Sequence, residues 1–186
     1  DEIHVVSRAL KRKIQDSGVK NPAIEITRNK LSPKFKKMNI AKKKQIISVG
    51  AVYERKGFDI LLKAFAKVAD KIPKYSVVIV GRTADSHYKK KLNKIIKENN
   101  LQERVKFLGQ REDIPELLNE SELFVMPSRS EGYGLALAEA LACGLDCIAS
   151  KTGGIPEAVG NKRKCKFFRN GSIKELAELL EKQLKH

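Results

Sequence analysis

From Gln45 onward the chain switches back and forth between two periodicities. Short apolar runs rich in β-branched residues, QIISVG (45–50), YSVVIVG (75–81), RVKFLG (104–109), ELFVMPS (122–128), DCIAS (146–150) and KCKFF (164–168), are separated by stretches with apolar residues at helical spacing. Strands and helices taking turns, with short loops between them, build βαβ units with right-handed crossovers and a parallel sheet. The runs are nearly continuously apolar, as strands covered by helices on both faces are. The expected fold is α/β, a Rossmann-like doubly wound parallel sheet.

The intervening elements carry their own punctuation. A helix is expected from Phe58 to Ile72, stopped by Pro73. Asp85 or Ser86 caps a helix running to Asn99, and Ser172 caps the amphipathic SIKELAELLEKQLK. IPELLNES and IPEAV read as short helical pieces, and Gly134 to Cys143 as a helix. Ahead of this regular part, HVVS is strand-like, and Arg8 to Asp16 is a helix capped by Ser7 and ended by Gly18. IEITRN follows, then a basic stretch with Ser32-Pro33 that reads as a linker. A chain of 186 residues can bury a core of its own. No apolar run approaches the ~18 residues that span a bilayer. The start, DEIHVVSRALKRK, lacks both a signal-peptide layout and an initiator Met, so the chain is expected to be a piece of a longer protein.

The net charge is +16, from 38 basic and 22 acidic side chains, and it is unevenly spread. No acid occurs between Glu25 and Glu54, a stretch holding Arg28, Lys30, Lys34, Lys36, Lys37, Lys42, Lys43 and Lys44. A second run is Lys89, Lys90, Lys91, Lys94 and Lys97. Such surfaces attract nucleic acid, anionic lipid or phosphorylated ligands. Aromatic residues are sparse in both runs, so base-stacking platforms are not expected and nucleic acid is not an expected partner. Cys143, Cys147 and Cys165 lack metal-site or redox spacing and read as buried thiols in a reducing compartment. His4, His87 and His186 lie far apart in the sequence, and no metal site is expected.

In an open parallel sheet, ligands bind beyond the carboxyl ends of the strands. The loops there read AVYERKG, RTADS, QRED, RSEGYG and KTGGIPE. Arg55, Lys56, Arg82, Arg111, Arg129 and Lys151 all fall on this edge, which suits a phosphate-bearing ligand. EGYG runs straight into a helix, so the amides of Gly132, Tyr133 and Gly134 sit at its positive end, open to an anion. An ordinary glycine-rich turn would look the same. No GxGxxG follows the first strand and no Walker lysine motif is present, which argues against dinucleotide and P-loop sites. Glu139 lies one and a half turns into the helix, too deep to cap it, among Leu135, Ala136, Leu137, Ala138, Ala140, Leu141 and Ala142. Such a helix is expected to be buried nearly all round. A carboxylate there needs partners. They are either a structural Arg or Lys, or the vicinal hydroxyls of a bound ribose.

These residues resemble a known family. Glu131 and Glu139 form an E-x7-E pair, preceded by FVMPSRS and followed by ALACGLDCIASKTGGIPEAV. With IISVGAVYERKGFDILLKAFAKV upstream, the pattern resembles the donor-binding half of family-4 retaining glycosyltransferases, GT-B enzymes with two Rossmann-like domains. The resemblance covers Gln45 to the C-terminus. It implies that Glu139 holds the ribose hydroxyls of a nucleotide-sugar and that Glu131 lies near the donor sugar. The amides of Gly132, Tyr133, Gly134 and Leu135 would face the sugar and diphosphate, with Gly50 in the phosphate loop and Lys56 on the diphosphate. Gly109, Gln110 and Arg111 would lie by the base. The chemistry implied is transfer of a glycosyl group from a UDP- or GDP-linked donor to an acceptor hydroxyl of a glycan or lipid, with retention. Lys56 and the helix N-terminus would neutralise the leaving group without a metal.

The resemblance also implies a domain division. Residues 1–40 would be the edge of an N-terminal domain and a basic interdomain connector, and residues 41–186 the donor-binding domain. The acceptor domain is missing, so this piece alone is expected to bind donor but turn over little. The expected location is cytoplasmic, with a peripheral position on the inner membrane face as the alternative. Two positions depart from the family pattern. Ala51 stands where an Arg usually follows the glycine, and Arg55 or Arg82 is the candidate replacement. Asp146 stands where Pro is common. Competing readings are a nucleotide-sugar epimerase, a catalytically weakened nucleotide-sugar-binding module, and a module that uses its basic face on membrane or nucleic acid.

Overall fold

A computed structural model describes residues 2–18, 23–27, 29–160 and 164–185. Arg28 of the first basic run and His186 lie outside them. The first strands of the main sheet are β3 (Gln45–Val49) and β4 (Ser76–Val80). Their side chains alternate between two apolar clusters. Ile46, Val77 and Ile79 join one, while Ile47, Val78 and Val80 join the other. This period of two with apolar residues on both faces is what a doubly covered strand requires. β5 (Val105–Gly109), β6 (Leu123–Met126), β7 (Asp146–Lys151) and β8 (Cys165–Arg169) complete the sheet.

The six strands are ordered β5-β4-β3-β6-β7-β8 and every pair is parallel. This is the doubly wound Rossmann-like sheet expected from the sequence. Helices α2 (Phe58–Val68), α3 (Ser86–Glu98) and α7 (Ile173–Leu184) cover one face. Helices α4 (Ile114–Glu120), α5 (Leu135–Ala142) and α6 (Ile155–Val159) cover the other. β4 and β5 are added on one side of β3, and β6 to β8 on the other. The winding therefore reverses between β3 and β6, and the crevice at their carboxyl ends is the place where such sheets hold ligands.

Three expectations need correction. α2 ends at Val68, and the chain tightens into a 3-10 turn over Ala69–Lys71 rather than running helical to Ile72. The Arg104 guanidinium donates to the carbonyls of Ala69, Ile72 and Tyr75, which satisfies backbone acceptors at the helix end and just beyond it. The basic stretch is packed against the domain rather than running free. Phe35 is buried in the α4–α5 cluster, and buried Asn119 accepts from the Met38 amide at 2.8 Å and donates to the Lys36 carbonyl at 3.0 Å. Lys42 Nζ donates to the Ser121 carbonyl at 2.6 Å. Finally, α5 is not buried all round. Only Leu137, Ala140 and Leu141 are buried, and Leu135 is 38% exposed, because the helix meets the sheet on one face only.

Ahead of the main sheet, β1 (Glu2–Val5) and β2 (Ala23–Ile26) pair in parallel as a separate two-stranded sheet, joined by α1 (Arg8–Asp16). Cys143 and Cys147 are buried, as expected. Cys165 is half-buried, and burial pushes its thiol up to about 12. Among the described residues, no helix is long and apolar enough to cross a membrane.

Candidate functional site

The loops after β3 and β6 meet across the crevice. Lys56 ends a 3-10 turn, Glu54–Lys56, and Glu131 lies in the loop that leads to α5. Lys56 Nζ donates to Glu131 Oε2 at 2.6 Å, with side chains only 18% and 14% exposed. Ser128 Oγ lies 3.5 Å from the same oxygen. The Glu131 loop is pinned from the other side by the loop after β7. The Gly154 amide donates to the Glu131 carbonyl at 3.1 Å. A Cβ on Gly153 would fall 2.0 Å from the Glu131 carbonyl oxygen, and one on Gly154 would fall 2.1 Å from that of Gly132. The Gly-Gly pair is therefore the price of this close approach.

α5 starts directly from this loop. Its N-cap residue Gly134 takes φ 95° and ψ 49°, and no side chain caps the helix. The first-turn amides of Leu135 and Ala136 have no acceptor among the described residues, so the positive end of α5 opens beside Lys56 and Glu131. Gly132 and Tyr133 are half-buried, Gly134 is buried and Leu135 is exposed beside them.

A second group lines a cavity of about 340 Å³ between the loops of β3, β4 and β5. Gly50, Ala51, Arg82, Gln110 and Arg111 contribute to its wall, and Gly109 precedes it at the end of β5. Gly50 joins the two groups, because a Cβ there would lie 3.4 Å from the Lys56 stem. The structure thus gathers the predicted residues of the β3, β4, β5 and β6 loops along one edge.

Of the two partnerings expected for Glu139, the structural Arg or Lys is not found among the described residues. Glu139 is half-buried, and among the described residues its carboxylate has no hydrogen bond or ion pair. Burial raises its pKa above the ordinary glutamate value, an effect opposed by the charge of Lys34 on the packed connector. Lys34 is a site neighbour that sequence reasoning missed, since the stretch carrying it read as a linker. Only buried Phe35, the one aromatic in that basic stretch, hinted that the segment docks.

The cations of the edge divide. Arg129 is not free for a ligand. Its guanidinium forms a two-pronged pair with buried Asp59, at 2.8 Å on each oxygen, and also donates to the Glu54 carbonyl. Burial pushes Asp59 upward, but hydrogen bonds from Arg129 and from Tyr88 outweigh it and hold the carboxyl below its usual value. Arg111 pairs with Asp113 at 2.6 and 2.8 Å, which raises the Arg111 pKa. Arg55 donates to the Tyr53 hydroxyl at 2.6 Å and lies over its ring. The Arg82 side chain is exposed and has no partner among the described residues.

The site also touches the first segment of the chain. Ser7 is buried and accepts from the Leu10 amide, while Glu157 of α6 accepts from the amides of Arg8 and Ala9 at 2.9 and 2.8 Å. A Cβ on Gly132 would lie 3.4 Å from Val6. Glu2, His4 and Glu25 come together on the exposed face of β1–β2, a grouping the spacing of the histidines did not suggest. It belongs to the small sheet, not to the ligand edge.

Residues 32–186 match the family model for glycosyl transferases group 1. The chain is 30% identical over 183 residues to an uncharacterized glycosyltransferase of Haemophilus influenzae, covering 97% of this chain and 51% of that protein. It is 35% identical over 99 residues to N-acetyl-alpha-D-glucosaminyl L-malate synthase of Bacillus anthracis, covering 53% of this chain and 25% of that protein. Among solved structures it superposes on HepE of Anabaena, crystallised with UDP and glucose, with a TM-score of 0.89 at 25% identity, over 97% of this chain and 53% of that one. The chain spans about half the length, or less, of these relatives.

Proposed function

The chain belongs to the glycosyl transferases group 1 family, with the fold of one half of a GT-B enzyme, and from that premise we propose that it is the donor-binding half of a retaining glycosyltransferase. The observation that carries this reading is Glu139, a half-buried carboxylate with no partner among the described residues, set on the same helix whose open N-terminus faces the ion pair of Lys56 and Glu131. Burial disfavours the charge of this carboxylate, as its raised pKa records, yet no side chain of the described residues occupies it. A carboxylate kept open is suited to two vicinal hydroxyls, each donating a charge-assisted hydrogen bond.

In this reading the ribose of a nucleotide-sugar sits on Glu139. The diphosphate meets the α5 amides and Lys56, whose charge offsets that growing on the departing nucleoside diphosphate. The base occupies the end of the cavity lined by Gln110 and Arg111, with Gly109 at its margin and Gly50 on the phosphate side. Glu131 lies by the sugar. No metal is required for these contacts. The acceptor is a hydroxyl of a glycan or lipid, supplied from an acceptor domain outside residues 41–186, and residues 1–40 form the edge of that domain and the connector. The lysine-rich connector suits an anionic membrane surface on the cytoplasmic side.

HepE was solved with UDP, which makes a UDP-linked donor the first to try. Calorimetry with UDP, GDP and ADP, and their sugars, tests the reading. At least one is expected to bind at micromolar to millimolar concentration, and the absence of binding by all of them would overturn the donor site.

A further inference from the structure

Lys56 and Glu131 belong to loops 75 residues apart in the chain, and their 2.6 Å contact needs something to hold those loops in register. Arg129 makes the connection. Its amide donates to the Arg55 carbonyl at 2.8 Å, and its Nη1 donates to the Glu54 carbonyl at 2.8 Å. Both terminal nitrogens reach Asp59, in the first turn of α2. One residue of the Glu131 loop therefore grips the Lys56 segment on both sides of Lys56. Its own carbonyl accepts from Asn170 Nδ2 at 2.8 Å and Thr152 Oγ1 at 3.3 Å, which draws in the loops after β8 and β7. Tyr88 of α3 closes the group by donating to Asp59 Oδ1 at 2.7 Å.

We infer that Arg129, with Asp59 as its buried counter-charge, is the positioning residue that holds the Lys56 segment against the Glu131 loop, so that Lys56 meets the donor diphosphate while Glu131 stays by the sugar; this rests on the donor-site reading above. Two features separate it from a phosphate ligand. The guanidinium is already committed to three oxygens. Turning it toward an anion would strip Asp59, whose side chain is 5% exposed, of its main partner. The geometry also requires the planar fork of arginine. A lysine ammonium at the same place is a point charge that cannot hold both Asp59 oxygens in parallel and the Glu54 carbonyl as well.

The test compares UDP with UMP, because only UDP carries a diphosphate for the positioned Lys56 to engage. Calorimetry on the chain is run for the wild type, Arg129→Lys, Asp59→Asn, their double variant and Tyr88→Phe, each checked for fold by circular dichroism. The wild type is expected to prefer UDP over UMP. Arg129→Lys and Asp59→Asn are each expected to weaken UDP about tenfold with UMP little changed, and the double variant to be no worse than the poorer single, as for partners in one network. Tyr88→Phe gives a smaller loss in the same direction. Millimolar guanidinium, but not methylammonium, is expected to restore part of the UDP preference to Arg129→Ala.

A folded Arg129→Lys or Tyr88→Phe variant that keeps the wild-type UDP-to-UMP ratio overturns the inference and leaves the donor site standing. Equal losses for UDP and UMP overturn it too, since they mark general damage. If the wild type binds none of UDP, GDP and ADP, or Glu139→Gln binds UDP as well as the wild type, it is the donor-site reading that fails.

Discussion

Lys56 and Glu131 share a charge-assisted contact at 2.6 Å across the point where the sheet reverses its winding, with both side chains largely out of water. A donor diphosphate in this crevice must compete with Glu131 for the ammonium. Glu131→Gln is therefore expected to leave UDP affinity equal or raised. In the full-length enzyme it should lower sugar transfer about a hundredfold, the scale of losing one charged group aimed at the transition state. Titration calorimetry and a transfer assay separate the two effects. A loss of UDP affinity as large as that of Lys56→Met would contradict the competition.

Glu139 couples stability to function in opposite directions. Its folded pKa is raised by burial, so the folded chain holds that proton more tightly than the unfolded chain does. The stability linked to this group is present at acid pH, below the unfolded value, and lost as pH rises through the folded value. At neutral pH the ionised form is a cost, and Glu139→Gln is expected to raise the melting temperature of the ligand-free chain. The same change should weaken UDP about a hundredfold by removing charged acceptors. In the wild type, UDP affinity should fall as pH drops through the raised Glu139 pKa, and that dependence should vanish in Glu139→Gln. Melting curves and calorimetry across pH check both.

If the loop after β3 holds phosphate, as the family resemblance implies, Ala51 leaves it without the cation usual at that position, and the structure distinguishes the two candidate replacements. Arg55 is held by the Tyr53 hydroxyl and ring, whereas Arg82 is unpartnered among the described residues and lines the cavity beside Gly50 and Ala51. Arg82→Ala is expected to weaken UDP about tenfold, the scale of one charged hydrogen bond, and Arg55→Ala to change it little. Equal effects, or none from Arg82→Ala, would remove Arg82 from the site.

Glu157 caps α1 from a distant helix, satisfying the Arg8 and Ala9 amides while Ser7 satisfies that of Leu10. Glu157→Ala is expected to cost about 1 kcal/mol in stability, as lost caps do. Amide hydrogen exchange should quicken at Arg8 and Ala9 and leave the main sheet unchanged. Unaltered exchange at those amides would show that α1 is held by other means.

The alternation of strand and helix periods was enough to establish the doubly wound sheet, because each period reports which faces of one element are covered, a local property. It also marked the candidate ligand edge, since that edge is simply where the strands end, and E-x7-E with EGYG could be placed there without coordinates. Ser7 and Ser172 were legible as caps, and Asp85 as one of two candidates with Ser86, for the same reason: a cap contacts amides within its own turn. Partnership between distant segments was not legible. Arg129 looked like Arg82, a cation after a strand, until the packing of α2 brought Asp59 beneath it. Glu139 looked like a residue that must be paired, until α5 proved to be covered on one face only. The connector looked free because Ser32-Pro33 in a basic stretch read as a linker, while Phe35 and Asn119 tied it to the domain. By itself the sequence determined the fold class, the edge and the residue types gathered there, since all three follow from short-range periodicity and chain order. Which charges are spent on each other, and which stay open for a ligand, was decided only by the tertiary structure, because ion pairing depends on distances between loops that no local pattern encodes.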